Sequence, residues 1–160
     1  MKTEKTRMML NFRKATLYDI PEMQVLVEPE VVSGVILKRD NDEVATNVRS
    51  YQLAFNNDTL VGFCALHIHT TTLAEVRSLI VADSVRGSGV GSELIRLALK
   101  EAKVLGLKEV LSLTYQQAFF ERLDFKEIPK ESLPEHKIWA DCINCKHFPV
   151  CNEVSLIHSI

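Results

Sequence analysis

Apolar positions recur along this chain with two distinct periods. From residue 90 to 102, Val90, Leu94, Ile95, Leu97, Ala98 and Ala102 follow helical spacing, which predicts a helix with one buried face that ends at "LGLK", residues 105–108. Residues 17–31 carry a second helical pattern, with Met23, Leu26 and Val27 as the buried stripe, Asp19 as the cap and Pro21 in the first turn. A looser helix is expected over 41–50. Between these lie β-type runs. Residues 51–55 and 60–69 are rich in strand formers and are separated by Asn56, Asn57, Asp58 and Thr59, the signature of a hairpin. Further strands are expected at 11–16, 73–81, 109–115, 136–142 and 152–160, and a short helix at 116–125.

This order predicts a mixed α/β domain with a strand, a glycine loop and a helix at its centre. The chain has 160 residues, 46% of them hydrophobic, enough to bury one core, so we expect a single domain over 1–160 with a frayed tail at 1–10. No internal repeat or low-complexity tract divides it. Lys plus Arg number 19 against 21 Asp plus Glu, with no basic block, which argues against a nucleic-acid partner. No run approaches the roughly 20 apolar residues of a membrane span, and the N-terminus lacks the features of a secretory signal, so the expectation is no membrane and a cytoplasmic location.

The loop is "RGSGVG", residues 86–91, between "SLIVADSV" and "SELIRLALK". A helix N-terminus exposes unpaired amides and a positive dipole end, and glycines let an anion approach the backbone, so the loop suits a pyrophosphate. Arg86 would add a charge-assisted contact at its mouth. By spacing alone the stretch is equally a strand-to-helix turn. It lacks the Lys-Ser/Thr pair of a Walker loop, and no acidic residue follows at the dinucleotide-binding distance.

Over "SLIVADSVRGSGVGSELIRLALKEAKVLGLKEVLSLTYQQAFFERLDF" the chain resembles the acetyl-CoA-binding core of the GNAT acetyltransferase superfamily. The resemblance implies a GNAT fold of the α/β (α+β) class: a twisted, mixed, mostly antiparallel sheet of six to seven strands flanked by helices. It also implies acetyl-CoA as cofactor, with the backbone of Leu79, Ile80 and Val81 along the pantetheine arm. Amides from Arg86 through Gly87, Ser88, Gly89, Val90 and Gly91 to Ser92 would then hold the pyrophosphate, with Phe119 and Phe120 packed beside it. Asp124-Phe125 departs from the family's Gly-Phe. Segments "FRKATLYDI", "SGVILKRDNDEV", "AEVRSLIV", "LTYQQAFFERLDF" and "LPEHKIWAD" are similar to the acetyltransferase domain of the N-acetylglutamate synthases, which open arginine biosynthesis. That implies an amino-acid N-acetyltransferase of the short, stand-alone type, acting on glutamate.

Acetyl transfer to an amine needs a base for the ammonium proton and a donor for the departing sulfur. Glu75 is the expected base, matching the carboxylate the family proposes for that role. An unbroken two-residue period sets Glu75, Arg77, Leu79 and Val81 on one face of the strand and Val76, Ser78 and Ile80 on the other. Glu75 paired with Arg77 on the surface is the structural alternative. Thr114 is the expected acid, with Tyr115 or Ser112 as substitutes, because the position of the usual tyrosine holds Phe120. Lys38 and Arg39 match the family's basic pair for the glutamate carboxylate, and Arg77 joins them as a substrate residue.

A last hairpin carries a Cys-rich insert, "CINCKHFPVC", where the synthases have substrate contacts. Cys142, Cys145 and Cys151, with His147, allow a structural zinc, while reduced thiols or a redox-sensitive bridge use the same residues. Cys64 is expected in the core, and His67, His69, His136 and His158 show no ligand spacing. The partner is expected to be a small-molecule amine, and a homodimer is a further expectation from the late strands. Another amine, a protein N-terminus, or a non-catalytic acyl-CoA or metal sensor are the other readings left open.

Overall fold

The structure, a computed structural model, describes residues 8–133 and 153–160. Its strands are β1 (Leu10–Lys14), β2 (Tyr51–Asn56), β3 (Thr59–Ile68), β4 (Leu73–Val81), β5 (Glu109–Thr114), β6 (Lys126–Ile128) and β7 (Val154–Ser159). The helices are α1 (Ile20–Val32), α2 (Asn41–Thr46), α3 (Val90–Leu105) and α4 (Gln117–Glu121). All seven strands form one mixed sheet in the order β1-β2-β3-β4-β5-β7-β6. Every neighbour is antiparallel except β4 and β5, which run parallel.

Each face of the sheet buries its own apolar cluster. On one, α3 lays Val90, Leu94, Ile95, Ala98 and Ala102 over Ala54, Val61, Cys64, Leu66, Ala74 and Val76. Leu97, expected in that stripe, is only half-buried, and Leu99 packs against the cluster as well. On the other face, Ile20, Met23 and Val27 of α1 and Val44 of α2 cover Tyr51, Leu53, Phe55, Phe63, Ala65 and Ile80. Leu26 is partly buried beside them. Cys64 is a core residue as expected, its thiol pushed up to about 12 by burial.

Two local details differ from the sequence expectation. Asp19 precedes α1 but makes no side-chain cap bond to it. Its carboxylate instead accepts two hydrogen bonds from the Arg13 guanidinium, each 2.8 Å, and one from the Thr16 amide at 2.7 Å. Arg13 first of all holds that carboxyl down at about 2. β6 has no counterpart among the expected strands: three residues carry no period of their own, and the strand exists through its pairing with β7. The expected strand over 136–142 and the insert residues Cys142, Cys145, His147 and Cys151 lie outside the described residues. Among the described residues no helix is long and apolar enough to cross a membrane.

Asp124, where the family pattern has glycine, adopts φ 66° just beyond α4. A side chain in this left-handed region costs energy that glycine avoids. Asp124→Gly is therefore expected to stabilise the chain by about 1 kcal/mol, visible as a higher urea midpoint at unchanged slope. An unchanged or lower midpoint would show that the aspartate compensates for its own strain.

Candidate active site

The middle of β4 sets the geometry. Ala65 of β3 pairs with Arg77 and Phe63 pairs with Ile80, so Ser78 and Leu79 together stand opposite the single residue Cys64. This is a β-bulge, and Ser78 at its centre has φ 57°. One extra residue reverses the alternation. Ala74 and Val76 face α3, as do Leu79 and Val81, whereas Ile80 joins the α1 face. The expected face shared by Glu75, Arg77, Leu79 and Val81 is thus corrected: Glu75 and Arg77 lie on the α1 face, and Leu79 and Val81 turn to the other side. Gly62 of β3 makes room for the bulge, since a Cβ there would come within 2.9 Å of the Ile80 carbonyl oxygen.

The parallel pairing of β4 with β5 spans only Leu73 to Glu75, opposite Glu109 to Leu111. Beyond Glu75 the two strands part, while β5 stays fully paired with β7 through Thr114. A V-shaped gap opens in the sheet, and one of its walls is the backbone edge of Arg77 to Val81. Parallel strands that separate expose N–H and C=O groups that an extended ligand can pair with.

At the wide end of the gap stands the N-terminus of α3. Gly87 and Gly89 have φ 80° and 88°, and a Cβ added to either would meet nothing within 4 Å. The Ser88 amide donates to the Val85 carbonyl and the Glu93 amide to Gly89. Gly89 is the cap residue, so the amides of Val90, Gly91 and Ser92 begin the helix without carbonyls a turn earlier to receive them. Open space in front of such amides fits an anion such as a diphosphate. Arg86 is 60% exposed and its guanidinium is held 3.0 Å from Asp83 and 3.8 Å from Glu30. The ring that touches this loop is that of Phe119, 3.4 Å from where a Gly91 Cβ would be. Phe120 lies deeper, edge-to-face with Phe119 and Phe125 in the core.

On the α1 face, the Glu75 side chain is 2% exposed and its Oε1 lies 2.8 Å from Nε2 of His69, itself 2% exposed. A pocket lies next to this face, lined by Gln24, Ile36, Arg39, Tyr51, Phe63 and Ser78 among others. Arg39 lies with only 9% of its side chain exposed, one nitrogen 2.9 Å from Glu43, while Gln24 donates to its carbonyl oxygen. Burial pushes the Tyr51 phenol above its ordinary value, and the positive charges of Arg39 and Arg77 act on it in the opposite sense. Arg39 lines this pocket beside Tyr51, whereas Arg77 does not line it. The basic pair is split, because Lys38 is exposed on the connection between α1 and α2 and does not line the pocket.

Three hydroxyls lie on or just beyond β5. Thr114, half-buried at the end of β5, accepts a 2.9 Å hydrogen bond from the Gln116 amide. Ser112 is buried at 1% exposure, and Tyr115 lies in the exposed connection to α4. His69 shows no ligand spacing in the sequence, yet the fold places it against Glu75. The signal for it is the hairpin register, which puts His67 opposite Glu75 and His69 two residues further on.

Residues 16–125 match the Acetyltransferase (GNAT) family. The chain belongs to this family of acetyltransferases. It is 34% identical over 148 residues to an uncharacterized N-acetyltransferase of Chlorobaculum tepidum, covering 92% of this chain and 95% of that protein. An amino-acid acetyltransferase of Mycobacterium tuberculosis is 29% identical over 119 residues, covering 72% of this chain and 68% of the relative. The fold superposes with a TM-score of 0.82 on N-acetylglutamate synthase of Neisseria gonorrhoeae complexed with coenzyme A and N-acetyl-glutamate, at 18% identity. That match covers 96% of this chain but 36% of the synthase, so the chain spans about a third of that protein's length.

Proposed function

We propose that this chain transfers the acetyl group of acetyl-CoA directly to the α-amino group of a small amino acid, with L-glutamate as the acceptor. The observation that carries the reading is the bulge together with the parting of β4 from β5. Glu75 and Arg77 lie on the α1 face of β4, Leu79 and Val81 on the opposite face towards the N-terminus of α3, and the gap runs beside them, an arrangement that supports a base on one side and an anion site on the other. Relatives named as amino-acid acetyltransferases, and the N-acetyl-glutamate bound in the gonococcal synthase, support the acceptor class.

The amides at Gly87 and Gly89 to Ser92 would hold the diphosphate, the edge of Leu79 to Val81 the pantetheine amides, and Phe119 the adjoining apolar part. Acetyl-CoA supplies an activated thioester. Glu75 takes the proton of the acceptor's ammonium, through water, so that the amine is a nucleophile. Once the amine has attacked the thioester its nitrogen carries a second labile proton; Thr114 Oγ1, oriented by the Gln116 amide, gives its own proton to the departing sulfur and takes that one in exchange, so the broken C–S bond leaves a neutral thiol. Arg39 and Arg77 match the carboxylates of the acceptor, since an unpaired carboxylate is costly to bring into a partly dry pocket. No acyl-enzyme forms.

Thiol release from acetyl-CoA, measured across glutamate, glutamine, aspartate and a polyamine, tests this directly. Glutamate is expected to give the highest kcat/KM. Arg39→Met is expected to raise the KM for glutamate by about 10- to 100-fold with kcat little altered, the size of a lost charge-assisted hydrogen bond. Preference for the polyamine would remove glutamate as the acceptor, and an unchanged KM in the variant would remove Arg39 from its binding.

A further inference from the structure

We propose that His69 is a positioning residue for Glu75, an imidazole that fixes the carboxylate in the orientation from which it accepts the ammonium proton. The inference rests on Glu75 being the base. Its ground is the 2.8 Å contact between His69 Nε2 and Glu75 Oε1, in which both side chains are 2% exposed. A carboxylate on a strand swings about its own side-chain torsions, and a donor fixed from a second element removes that freedom.

His69 is itself fixed from two sides. Its amide donates to the Leu73 carbonyl at 2.9 Å, and so does that of Thr70 at 3.1 Å, closing the β3–β4 connection. The Thr70 hydroxyl accepts from the amides of Thr72 and Leu73, which ties the turn to the first residue of β4. The imidazole also meets the His67 ring edge-to-face, with centroids 4.8 Å apart. Backbone and ring are thus both constrained, and they belong to the same hairpin that carries Glu75. The tautomer with hydrogen on Nε2 donates to Oε1 and leaves the carboxylate ionised, as a base must be. Proton abstraction then adds a proton to Glu75 while His69 keeps its own, so the imidazole orients and undergoes no net change.

The test compares His69→Leu, His69→Gln and Glu75→Gln with the wild type by steady-state thiol release, with acetyl-CoA affinity from calorimetry and thermal melts as controls on folding. His69→Leu is expected to lower kcat by about 10- to 100-fold, at unchanged acetyl-CoA affinity and unchanged KM for the acceptor. His69→Gln, whose amide nitrogen can donate from nearly the same place, is expected to recover most of the loss. In the Glu75→Gln background, adding His69→Leu should cost nothing more, because the histidine acts only through the carboxylate. Wild-type kcat in His69→Leu, failure of glutamine to rescue a folded protein, or an undiminished loss in the double variant would each overturn the inference while leaving Glu75 as base. Undiminished turnover in Glu75→Gln alone would remove the base, and this inference with it.

Discussion

Glu75→Gln is expected to lower kcat by about 10²- to 10⁴-fold, the range over which positioned acid–base groups act, with no change in acetyl-CoA affinity. The separation of the two effects follows from the bulge. Glu75 lies on the α1 face with Arg77, whereas Leu79, Val81 and the α3 N-terminus are on the opposite side. Glutamine keeps the size of the side chain and its ability to accept from His69, so loss of turnover in this variant reports the missing proton acceptor. Calorimetry with acetyl-CoA and initial rates of thiol release on the same preparation make the comparison. Turnover within a few fold of wild type would eliminate Glu75 as the base, and a parallel loss of acetyl-CoA affinity would mean that its role is to shape the gap.

The complementary expectation concerns the loop. Gly89→Val is expected to weaken acetyl-CoA binding by about 100-fold, combining backbone strain with lost amide contacts to a charged group. At φ 88° a β-branched residue is strained, and the space in front of Gly89 contains no protein atom within 4 Å of the added Cβ. The new side chain meets nothing in the protein itself, so the fold survives with a small fall in Tm, while the approach to the amides is blocked. Arg86→Ala is the control for stability: its guanidinium pairs with Asp83, exposed to solvent, so losing that pair is expected to leave Tm nearly unchanged. Wild-type affinity in Gly89→Val would place the diphosphate elsewhere.

Much of this was readable from residue order because it depends on local pattern. The nine residues "LAEVRSLIV" form β4 as expected because they are a contiguous run of strand formers, and the stripe from Val90 to Ala102 forms α3 because it has one apolar face and a clear stop. The resemblance carried by "RGSGVG" led to the family for a related reason: it is a contiguous strand, loop and helix. What escaped was non-local. A two-residue period holds only while the ladder is unbroken, and nothing in "RSL" announces that Ser78 will bulge against Cys64. The link from His69 to Glu75 needs the hairpin register, which no spacing along the chain reveals. Lys38 and Arg39 are adjacent in the chain, yet folding buries most of one and exposes the other.

A sheet that is continuous for four strands and again for three, but joined between them at just three residue positions, is mechanically two plates on a short weld. Each plate draws its rigidity from its own ladders, while the line between β4 and β5 leans on the underside of α3 and on the rings of α4. The sheet is therefore expected to open more readily along that line than within either plate, and any molecule that spans it acts as a clamp, so occupancy and stiffness rise together.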